Sequence, residues 1–456
     1  MKYINKSINK ILFNRMIRIL SKYGIMVFLL LGSVVTYAQQ ARLLTLEDAI
    51  SLGLANSKTL QLSKVKVERA ISVYNQTVDL ALPTAKTSAI YNHAEIPNHT
   101  LQLGSGNPIN LPSSADAFLG TLSVQQLIFA GNKLKYAQES TDILKKVAEL
   151  GIANNKEEIT ISIINSYLNL YKLEASKKVI NQNLEALNKQ YQQTERFFEQ
   201  GLVTKNDVLR LQLQKSNIEL TGLDIDRNLN IVNYSLDVLL GLPESTILKT
   251  VALNIDENKK GSFNNFLDSA INNRIEVKQI DYSSQIADKN IQSLKADVLP
   301  TLGAGLSAYY INPSGKFIPP SNQFITPIAL GATLSWNISS LWTNKNKVAE
   351  ASIQKREVVI NKSILLDQLK LEVNRNYENY LQSLNRIKII SVAIDQATEN
   401  DKIVQSKYNN NIASITDRLD ADTQLFQTKI NLEIAKADAE IAYYNLLKSA
   451  GQKLTR

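Results

Sequence analysis

The sequence predicts a mainly α-helical chain that is internally duplicated and carries one β-hairpin in each copy. Three observations predict this fold. Only 17 glycines and 10 prolines interrupt 456 residues, and the long stretches between them are rich in residues that favour helices. The pattern from Thr45 to Gly241 recurs from Ser262 to Gly451. Within each copy a proline ends a helical stretch, and the residues after it alternate as in a β-strand.

The first 38 residues have the features of a cleaved signal peptide. A basic stretch from Lys2 to Lys22 precedes an apolar run from Ile25 to Val35, which is too short to span a bilayer as a helix. Cleavage is expected after Ala38, so that the mature chain begins at Gln39. This segment contains six basic residues and no acidic ones, within a chain of formal charge +9. The mature protein is therefore nearly neutral, and no nucleic-acid partner is expected.

The composition also argues against several kinds of chemistry. The chain has no cysteine, which excludes disulfides, thiolate metal sites and an N-terminal lipid anchor. Its two histidines, His93 and His99, have no acidic or cysteine cluster beside them in the sequence, so no metal site is predicted. Neither a glycine-rich phosphate loop nor a nucleophile elbow is present. We expect no cofactor and no enzymatic activity.

Matching landmarks define two structural repeats, at 39–241 and 262–456, joined by a linker at 242–261. Leu82-Pro83-Thr84 of the first repeat matches Leu299-Pro300-Thr301 of the second. These prolines begin two predicted hairpins, at about 83–129 and about 300–339. The predicted strands are about 83–94 with 116–129, and about 300–311 with 326–339. In the last of them the alternation is clearest from Ala332 to Ile338.

Each repeat also contains a tight turn between two helices. Gly201-x-x-Thr204-x-x-Asp207 of the first repeat matches Asn411-x-x-Ser414-x-x-Asp417 of the second. Glycine and asparagine tolerate the left-handed conformation that ends many helices. Threonine and serine are suited to cap the start of the next helix, with an aspartate at its third position favourable to the helix dipole. The sequence therefore predicts two helix-turn-helix units.

The predicted strands are about 11 to 14 residues long, which is enough to cross a bilayer when tilted. Four strands cannot close a membrane barrel, because single-chain barrels have at least about eight and lipid does not tolerate open sheet edges. A barrel shared between chains solves this problem, and three chains would supply twelve strands. The helical stretch from Leu134 to Gln200 would extend about 100 Å and continue the wall away from the membrane.

The signal segment, the duplicated layout, the Leu-Pro junctions and the turn Gly201-Leu-Val-Thr-Lys-Asn-Asp-Val-Leu together resemble the TolC outer-membrane efflux family over essentially the whole mature chain. The resemblance implies a homotrimer in outer-membrane lipid, with a shared twelve-stranded β-barrel and a long coiled-coil helical barrel in the periplasm. It implies the exit duct of a tripartite efflux or type I secretion system, with a periplasmic adaptor (membrane-fusion) protein and an inner-membrane pump as partners. The alternative is a periplasmic coiled-coil adaptor or scaffold without a pore.

The resemblance also implies roles for residues at the turns. Asp417 and Asp420, spaced i, i+3, match the family's acidic ring at the tunnel entrance. The alternative is a helix-start aspartate and a second solvated one. Asp207 and Tyr408 match positions that help to hold the tip closed. Ala413 occupies the place of an arginine found in the best-known members, so the sequence does not support a salt bridge to Asp207 there.

Two further sets of residues complete the expected site. Adaptor docking is expected on the two turns, and plain helix caps are compatible with it; the residues are Gly201, Leu202, Val203, Thr204, Asn411, Ile412, Ala413 and Ser414. Aromatic belts at the membrane interface are expected to include Tyr309, Tyr310, Trp336 and Trp342. Ordinary strand aromatics are the alternative for the second set.

Overall fold

The computed structural model describes residues 41–97, 100–102, 104–110, 113–251, 261–312, 323–410 and 412–454. The proposed signal segment, His99 and Asn411 lie outside these residues. The helices are α1 (Leu46–Asn56), α2 (Lys58–Asp79), α3 (Lys133–Glu199), α4 (Lys205–Leu240), α5 (Phe263–Asn273), α6 (Ile275–Lys295), α7 (Ser340–Asn409) and α8 (Ile415–Ser449). The strands are β1 (Arg42–Leu44), β2 (Thr84–Glu95), β3 (Thr100–Leu101), β4 (Ile109–Asn110), β5 (Ser114–Phe129), β6 (Leu248–Thr250), β7 (Thr301–Asn312) and β8 (Ile328–Ser335).

Two very long helices dominate the fold. Helices α3 and α7 have 67 and 70 residues, which makes each about 100 Å long at roughly 1.5 Å per residue. Neither contains a proline, and the single glycine within them is Gly151 in α3. No residue therefore interrupts the helical hydrogen bonds over this length.

The other helices pack beside these two to form one layer. In the half of the layer that leads to the β-hairpins, neighbouring helices lie in the order α2, α3, α6, α7. In the other half the order is α4, α3, α8, α7. Helices α3 and α4 form one antiparallel hairpin, and α7 and α8 form the other. Helix α7 therefore lies at one side of the layer along its whole length, while α2 and α4 lie at the opposite side.

A four-stranded antiparallel sheet continues the helical layer at one end. Its order is β2, β5, β7, β8, so the second strand of the first hairpin pairs with the first strand of the second hairpin. Strand β2 leads out of α2, and β8 leads into α7. The two edges of the sheet thus coincide with the two sides of the helical layer.

Strand β8 is shorter than the sequence predicted. It ends at Ser335, which pairs with Thr301, the first residue of β7. Pro300 precedes Thr301, so β7 offers no partner to residues beyond Ser335, and the alternating residues up to Ile338 lie outside the sheet. The indole Nε1 of Trp336 instead donates to the carbonyl of Val298 at 3.0 Å.

The main core lies at the middle of the helical layer. There β6, from the segment between the repeats, pairs in parallel with β1, so that Leu44 lies opposite Thr250. The buried hydroxyl of Tyr167 donates to the carbonyl of Leu44 at 2.9 Å and accepts from the amide of Val251 at 3.1 Å. A strand of three residues gives no periodic signal, which is why sequence analysis described this segment only as a linker.

Equivalent glycines follow the last helix of each repeat, next to this core. Gly241 follows α4 and Gly451 follows α8, and both have left-handed backbones, with φ of +68° and +62°. At the first, the side-chain amide of Asn56 donates to the carbonyl of Leu240 at 2.7 Å. At the second, the guanidinium of Arg274 donates to the carbonyls of Lys448 and Ser449. The end of the last helix of each repeat is therefore bound to the junction of its first two helices.

Replacing Gly241 by Ala is expected to lower the free energy of unfolding by about 3 kcal/mol or more. The left-handed backbone costs alanine roughly 1–2 kcal/mol, and its Cβ would lie 2.7 Å from the Cβ of Asn56. Gly201 is a matched control, because it has φ +73° but nothing within 4 Å of an added Cβ. Gly201→Ala should therefore show only the conformational cost. Thermal and denaturant unfolding followed by circular dichroism will compare them, and equal losses in the two variants would contradict the packing argument.

Candidate functional site at the helical tips and the strand faces

The first helical turn joins α3 to α4. Gly201 ends α3 in the left-handed conformation, and the amide of Leu202 donates to the carbonyl of Phe197 at 2.9 Å. Thr204 then caps α4 in a reciprocal arrangement with Asp207. The amide of Thr204 donates to the Asp207 carboxylate at 2.8 Å, and the amide of Asp207 donates to the Thr204 hydroxyl at 3.4 Å. The predicted cap residues are confirmed here.

The second turn joins α7 to α8 and is built in the same way. The amide of Ile412 donates to the carbonyl of Lys407 at 2.8 Å. Ser414 caps α8, and its amide donates to the Asp417 carboxylate at 3.0 Å while the amide of Asp417 donates to the Ser414 hydroxyl at 3.1 Å. These cap residues are confirmed as well. The hydroxyl and amide of Ser414 together lower the pKa of Asp417 from its ordinary value.

The two turns lie side by side at the same end of the molecule. Leu187 of α3, Leu211 of α4, Tyr408 of α7 and Ile415 of α8 are buried in one apolar cluster. Beyond it, the side-chain amide of Gln193 donates to the side-chain oxygen of Asn409 at 3.3 Å. We call this end of the molecule, which comprises both turns and this cluster, the tip.

Asp417 and Asp420 are both exposed on α8 in the single chain. They lie on the face of α8 away from Ile415, Arg418 and Ala421, which are buried. Their i, i+3 spacing places them next to each other along that face. Asp417 is thus a helix-capping residue and also an exposed carboxylate, and these two descriptions do not exclude one another.

Asp207 and Tyr408 make their hydrogen bonds within the single chain. The Tyr408 hydroxyl lies 3.0 Å from the hydroxyl of Thr194 in α3, and both residues are buried. In the part of the chain that the structure describes, the Asp207 carboxylate bonds to Thr204 and to no residue of the other hairpin. Ala413 packs against the apolar cluster.

A buried group of charges near the second turn was not found by sequence analysis. Arg418 forms ion pairs with Asp401 of α7 and with Asp422 of α8, the latter at 2.7 Å. The i, i+4 spacing of Arg418 and Asp422 was a readable signal. Asp401 lies across the turn and 17 positions earlier, so that only the packing of α7 on α8 brings it to the arginine.

The two faces of the sheet differ in polarity. Val124, Leu306 and Leu330 are cross-strand neighbours on one face, and Leu330 is 83% exposed. Residues paired across strands share a face, so this face also carries Ala85, Leu122, Leu302, Ala304, Ile328 and Leu334. The opposite face carries Ser88, Thr121, Ser123, Gln125, Gly303, Ser307 and Thr333.

The expected interface aromatics are divided between the two ends of the sheet. Tyr310 lies on the apolar face near the loops and stacks on Phe324 with 4.2 Å between ring centroids. Tyr309, its neighbour in the strand, lies on the polar face instead. Trp336 and Trp342 are exposed at the other end, where the sheet meets α7.

His93 has acidic neighbours that sequence analysis did not anticipate. It pairs with Asp116 in the register of β2 and β5, with 2.7 Å between its Nδ1 and the carboxylate, and its Nε2 lies 3.1 Å from Glu95. The strand register brings Asp116 to His93 across 23 positions of sequence. Within the described ranges, no group of His, Asp and Glu side chains is arranged to hold a metal ion.

None of the helices in the described part of the chain has the combination of length and apolar character needed to cross a bilayer. A search of curated proteins returns no match. Solved structures with a similar fold include the outer membrane protein VceC from Vibrio cholerae, with 17% identity, a TM-score of 0.75 and coverage of 90% of this chain and 97% of that one.

Two further solved structures have the same fold. The CmeC outer membrane channel of Campylobacter jejuni is 14% identical, with a TM-score of 0.75 and coverage of 90% and 87%. The MtrE outer membrane channel of Neisseria gonorrhoeae is 15% identical, with a TM-score of 0.69 and coverage of 90% of each chain. The family model described as outer membrane efflux protein matches residues 49–242 and 266–452. The resemblance to TolC-like channels is thus confirmed, and the chain belongs to the outer membrane efflux protein family.

Proposed function

We propose that three copies of this chain form the exit duct of a tripartite efflux or type I secretion system, in the outer membrane. The proposal rests on one observation, namely that the helical layer and the sheet that continues it are not closed on themselves in the single chain. The sheet and the helices end together at the same two sides, and each side presents one edge strand without a second partner among the described residues, together with exposed apolar residues. Such a layer is completed when identical copies join side to side around an axis.

The sheet edges are compatible with this closure. Strands β2 and β7 run in one direction, and β5 and β8 run in the other. Strand β8 of one copy and β2 of the next would therefore pair antiparallel, as every other pair in the sheet does. Three copies supply twelve strands, which is above the minimum of about eight for a membrane barrel.

The helical sides carry apolar stripes that the single chain leaves uncovered. On α4, Leu211, Ile218 and Leu236 are buried against the rest of the chain. The opposite face of this helix bears large exposed apolar residues at helical spacing: Leu209, Leu213, Leu220, Leu223, Ile231, Tyr234 and Val238. We call this set the α4 stripe.

Helix α7, at the other side of the layer, has the same organisation. Its buried residues include Leu369, Val373, Tyr380 and Ile387. The opposite face bears an exposed set that we call the α7 stripe: Ile353, Ile360, Ile364, Leu371, Ile389 and Val392. In a ring of copies, the α4 stripe of one chain would face the α7 stripe of the next. Two long apolar stripes of this kind are typical of helices that pack on both sides.

The apolar face of the sheet is suited to contact lipid, and the polar face is suited to line a pore. About eight residues separate Leu302 from Tyr310 along β7, or about 26 Å at roughly 3.3 Å per residue. Because strands of such barrels are tilted by about 35–45°, this length corresponds to a height of about 20 Å, somewhat less than the apolar band of about 25 Å in outer-membrane barrels. In this arrangement Tyr310 lies at one interface and Trp336 and Trp342 lie at the other, whereas Tyr309 faces the pore.

The tip would then be the periplasmic end of the duct. Leu202 and Ile412 are exposed on its two turns, Ile412 by 75%, and they offer apolar contacts to an adaptor protein. Asp417 and Asp420 of three chains would contribute six carboxylates around the entrance. Asp207 and Tyr408 support this end through the cap of α4 and the contact with Thr194.

Membrane fractionation and mass measurement test the proposal. We expect the protein in the outer-membrane fraction, beginning at Gln39, and as a trimer in detergent. The competing function is a periplasmic adaptor or scaffold without a pore, which would be recovered in the soluble periplasmic pool. A protein found there, or a stable monomer or dimer inserted in bilayers, would refute the proposed channel.

A further inference from the structure

The ion cluster of Arg418, Asp401 and Asp422 joins α7 to α8 near the tip. The side chain of Arg418 is only 9% exposed, and those of Asp401 and Asp422 are each 17% exposed. The guanidinium binds one carboxylate from α7 and one from α8. From α3, Gln190 faces Asp422, and its buried side-chain nitrogen has no hydrogen-bond partner among the described residues.

The position of the cluster relates it directly to the second turn. Asp401 lies in α7 before the turn, and Arg418 lies in the first turns of α8 after it. The ion pair between Asp401 and Arg418 therefore links the two helices on either side of the turn that contains Ile412 and Ser414. Arg418 immediately follows Asp417 and stands two positions before Asp420, but it points to the buried side of α8 while they point to the exposed side.

The charges in this cluster do not balance. One guanidinium faces two carboxylates, and one oxygen of Asp422 is buried without a hydrogen-bond partner in the described part of the chain. Removing charged groups from water is unfavourable unless each of them is paired. A proton on Asp422 would remove the excess negative charge and leave Arg418 to pair fully with Asp401.

We propose that Arg418 is a positioning residue, which fixes the second tip turn through its ion pairs. We propose also that protonation of Asp422 controls how strongly Arg418 fixes this turn. The proposal rests on the function proposed above, since the turn it positions is the one that carries Asp417 and Asp420. These ion pairs form within one chain. Ala413, which stands where the best-known members of the family have an arginine, supplies no charge to the tip.

The direction of the pH dependence follows from the surroundings of Asp422. Burial raises the pKa of Asp422 from 3.8 to about 7; Arg418 and the side-chain amide of Gln190 oppose this shift, and the carboxylate of Asp401 adds to it. The groups facing Asp422 are Asp401 from α7, Arg418 from α8 and the uncharged Gln190 from α3. A raised pKa means that the closed cluster binds a proton that an opened one releases between about pH 4 and 7. The cluster therefore stabilises the turn most strongly below about pH 4, and this stabilisation is lost as the pH rises to about 7.

The test uses a spin label at Ile412→Cys, which is unambiguous because the chain has no cysteine. In the full-length protein in detergent, we expect the mobility of the label to rise between pH 5.5 and pH 8.5. Asp422→Asn should abolish this rise and keep the label immobile at both values. The control Asp420→Asn removes one exposed carboxylate from the same helix and should leave the rise unchanged.

Two substitutions test the positioning role of Arg418. Arg418→Gln should make the label mobile at both pH values, because Asp401 then lacks its cation at either pH, and Asp422 lacks it wherever it is ionised. Arg418→Lys should restore part of the immobility, since an ammonium keeps the charge but lacks the forked donors that bind two carboxylates. Circular dichroism establishes that each variant is folded, and Asp422→Asn, being nearly isosteric, decides the question if Arg418→Gln does not fold.

The outcomes separate this proposal from the proposed function. If Asp422→Asn retains the pH-dependent mobility, the role of Asp422 is refuted, and if Arg418→Lys is as mobile as Arg418→Gln, the positioning role of Arg418 is refuted, even though channels form in bilayers. If the labels behave as expected and the protein forms no channels, the positioning role stands and the proposed duct fails.

Discussion

Replacing Leu213 and Leu220 by Asp is expected to give a folded chain that no longer assembles. Both residues belong to the α4 stripe and are 64% and 60% exposed in the single chain, so they contribute little to its own core. In the proposed assembly they are covered by the α7 stripe of the next copy. Fully burying an exposed leucine contributes about 1.5–3 kcal/mol, and these two are already about two-fifths covered in the single chain, so each seam would lose roughly 2–4 kcal/mol before the cost of burying the new carboxylates.

The measurement is the molar mass in detergent, with circular dichroism to verify the helical content. Asn217→Asp with Thr221→Asp is the matched control, because these exposed residues flank the stripe on the same helix and add the same charge. The control should remain trimeric. A trimer of normal stability in the Leu213→Asp, Leu220→Asp variant would show that α4 does not form the seam between copies.

Replacing Asp417 and Asp420 by Asn is expected to remove most of the cation selectivity of the proposed channel and its block by multivalent cations. In the proposed trimer these carboxylates would be held close together by threefold symmetry, and they would attract cations strongly because little water or salt screens them in a narrow entrance. Asparagine keeps the size of the side chain and preserves an acceptor for the cap with Ser414, so trimer formation should be unaffected. Planar-bilayer recordings of reversal potential and block measure the effect.

The first repeat supplies the control for this experiment. Asp207 makes the same cap with Thr204, but Arg210 stands where the second repeat has Asp420. Asp207→Asn should therefore reduce selectivity far less than the double substitution. Unchanged selectivity in the Asp417→Asn, Asp420→Asn variant would mean that these residues are only a helix cap and a solvated carboxylate.

The pH dependence of the cation selectivity tests the role of Asp417 independently. The hydrogen bonds with Ser414 lower the pKa of Asp417, whereas neighbouring carboxylates in the proposed ring would raise it. The contribution of Ser414 is therefore measured by comparison within the same assembly, in the Asp420→Asn variant. Ser414→Ala removes the hydroxyl donor and should move the loss of selectivity toward higher pH.

Local features that depend on neighbouring residues could be predicted from the sequence. The caps at Thr204 and Ser414 involve residues three positions apart, and the left-handed Gly201 is a property of one residue. The predicted end of β8 was wrong, because the length of a strand also depends on its partner, and β7 starts only after Pro300. Strand β6 was not predicted, because its three residues pair with β1 some 200 positions away.

The sequence by itself determined that two long helical hairpins with capped turns, and two proline-initiated β-hairpins, follow one another in duplicate. These features are set by propensities and spacings within a few residues, which any reader of the sequence can evaluate. The tertiary structure alone decided which faces remain open. It placed the α4 stripe opposite Leu211 and Ile218, and it brought Asp401 to Arg418. Both results depend on the packing of helices that are distant in sequence, since a periodic apolar pattern does not specify which of two faces is covered, or by what.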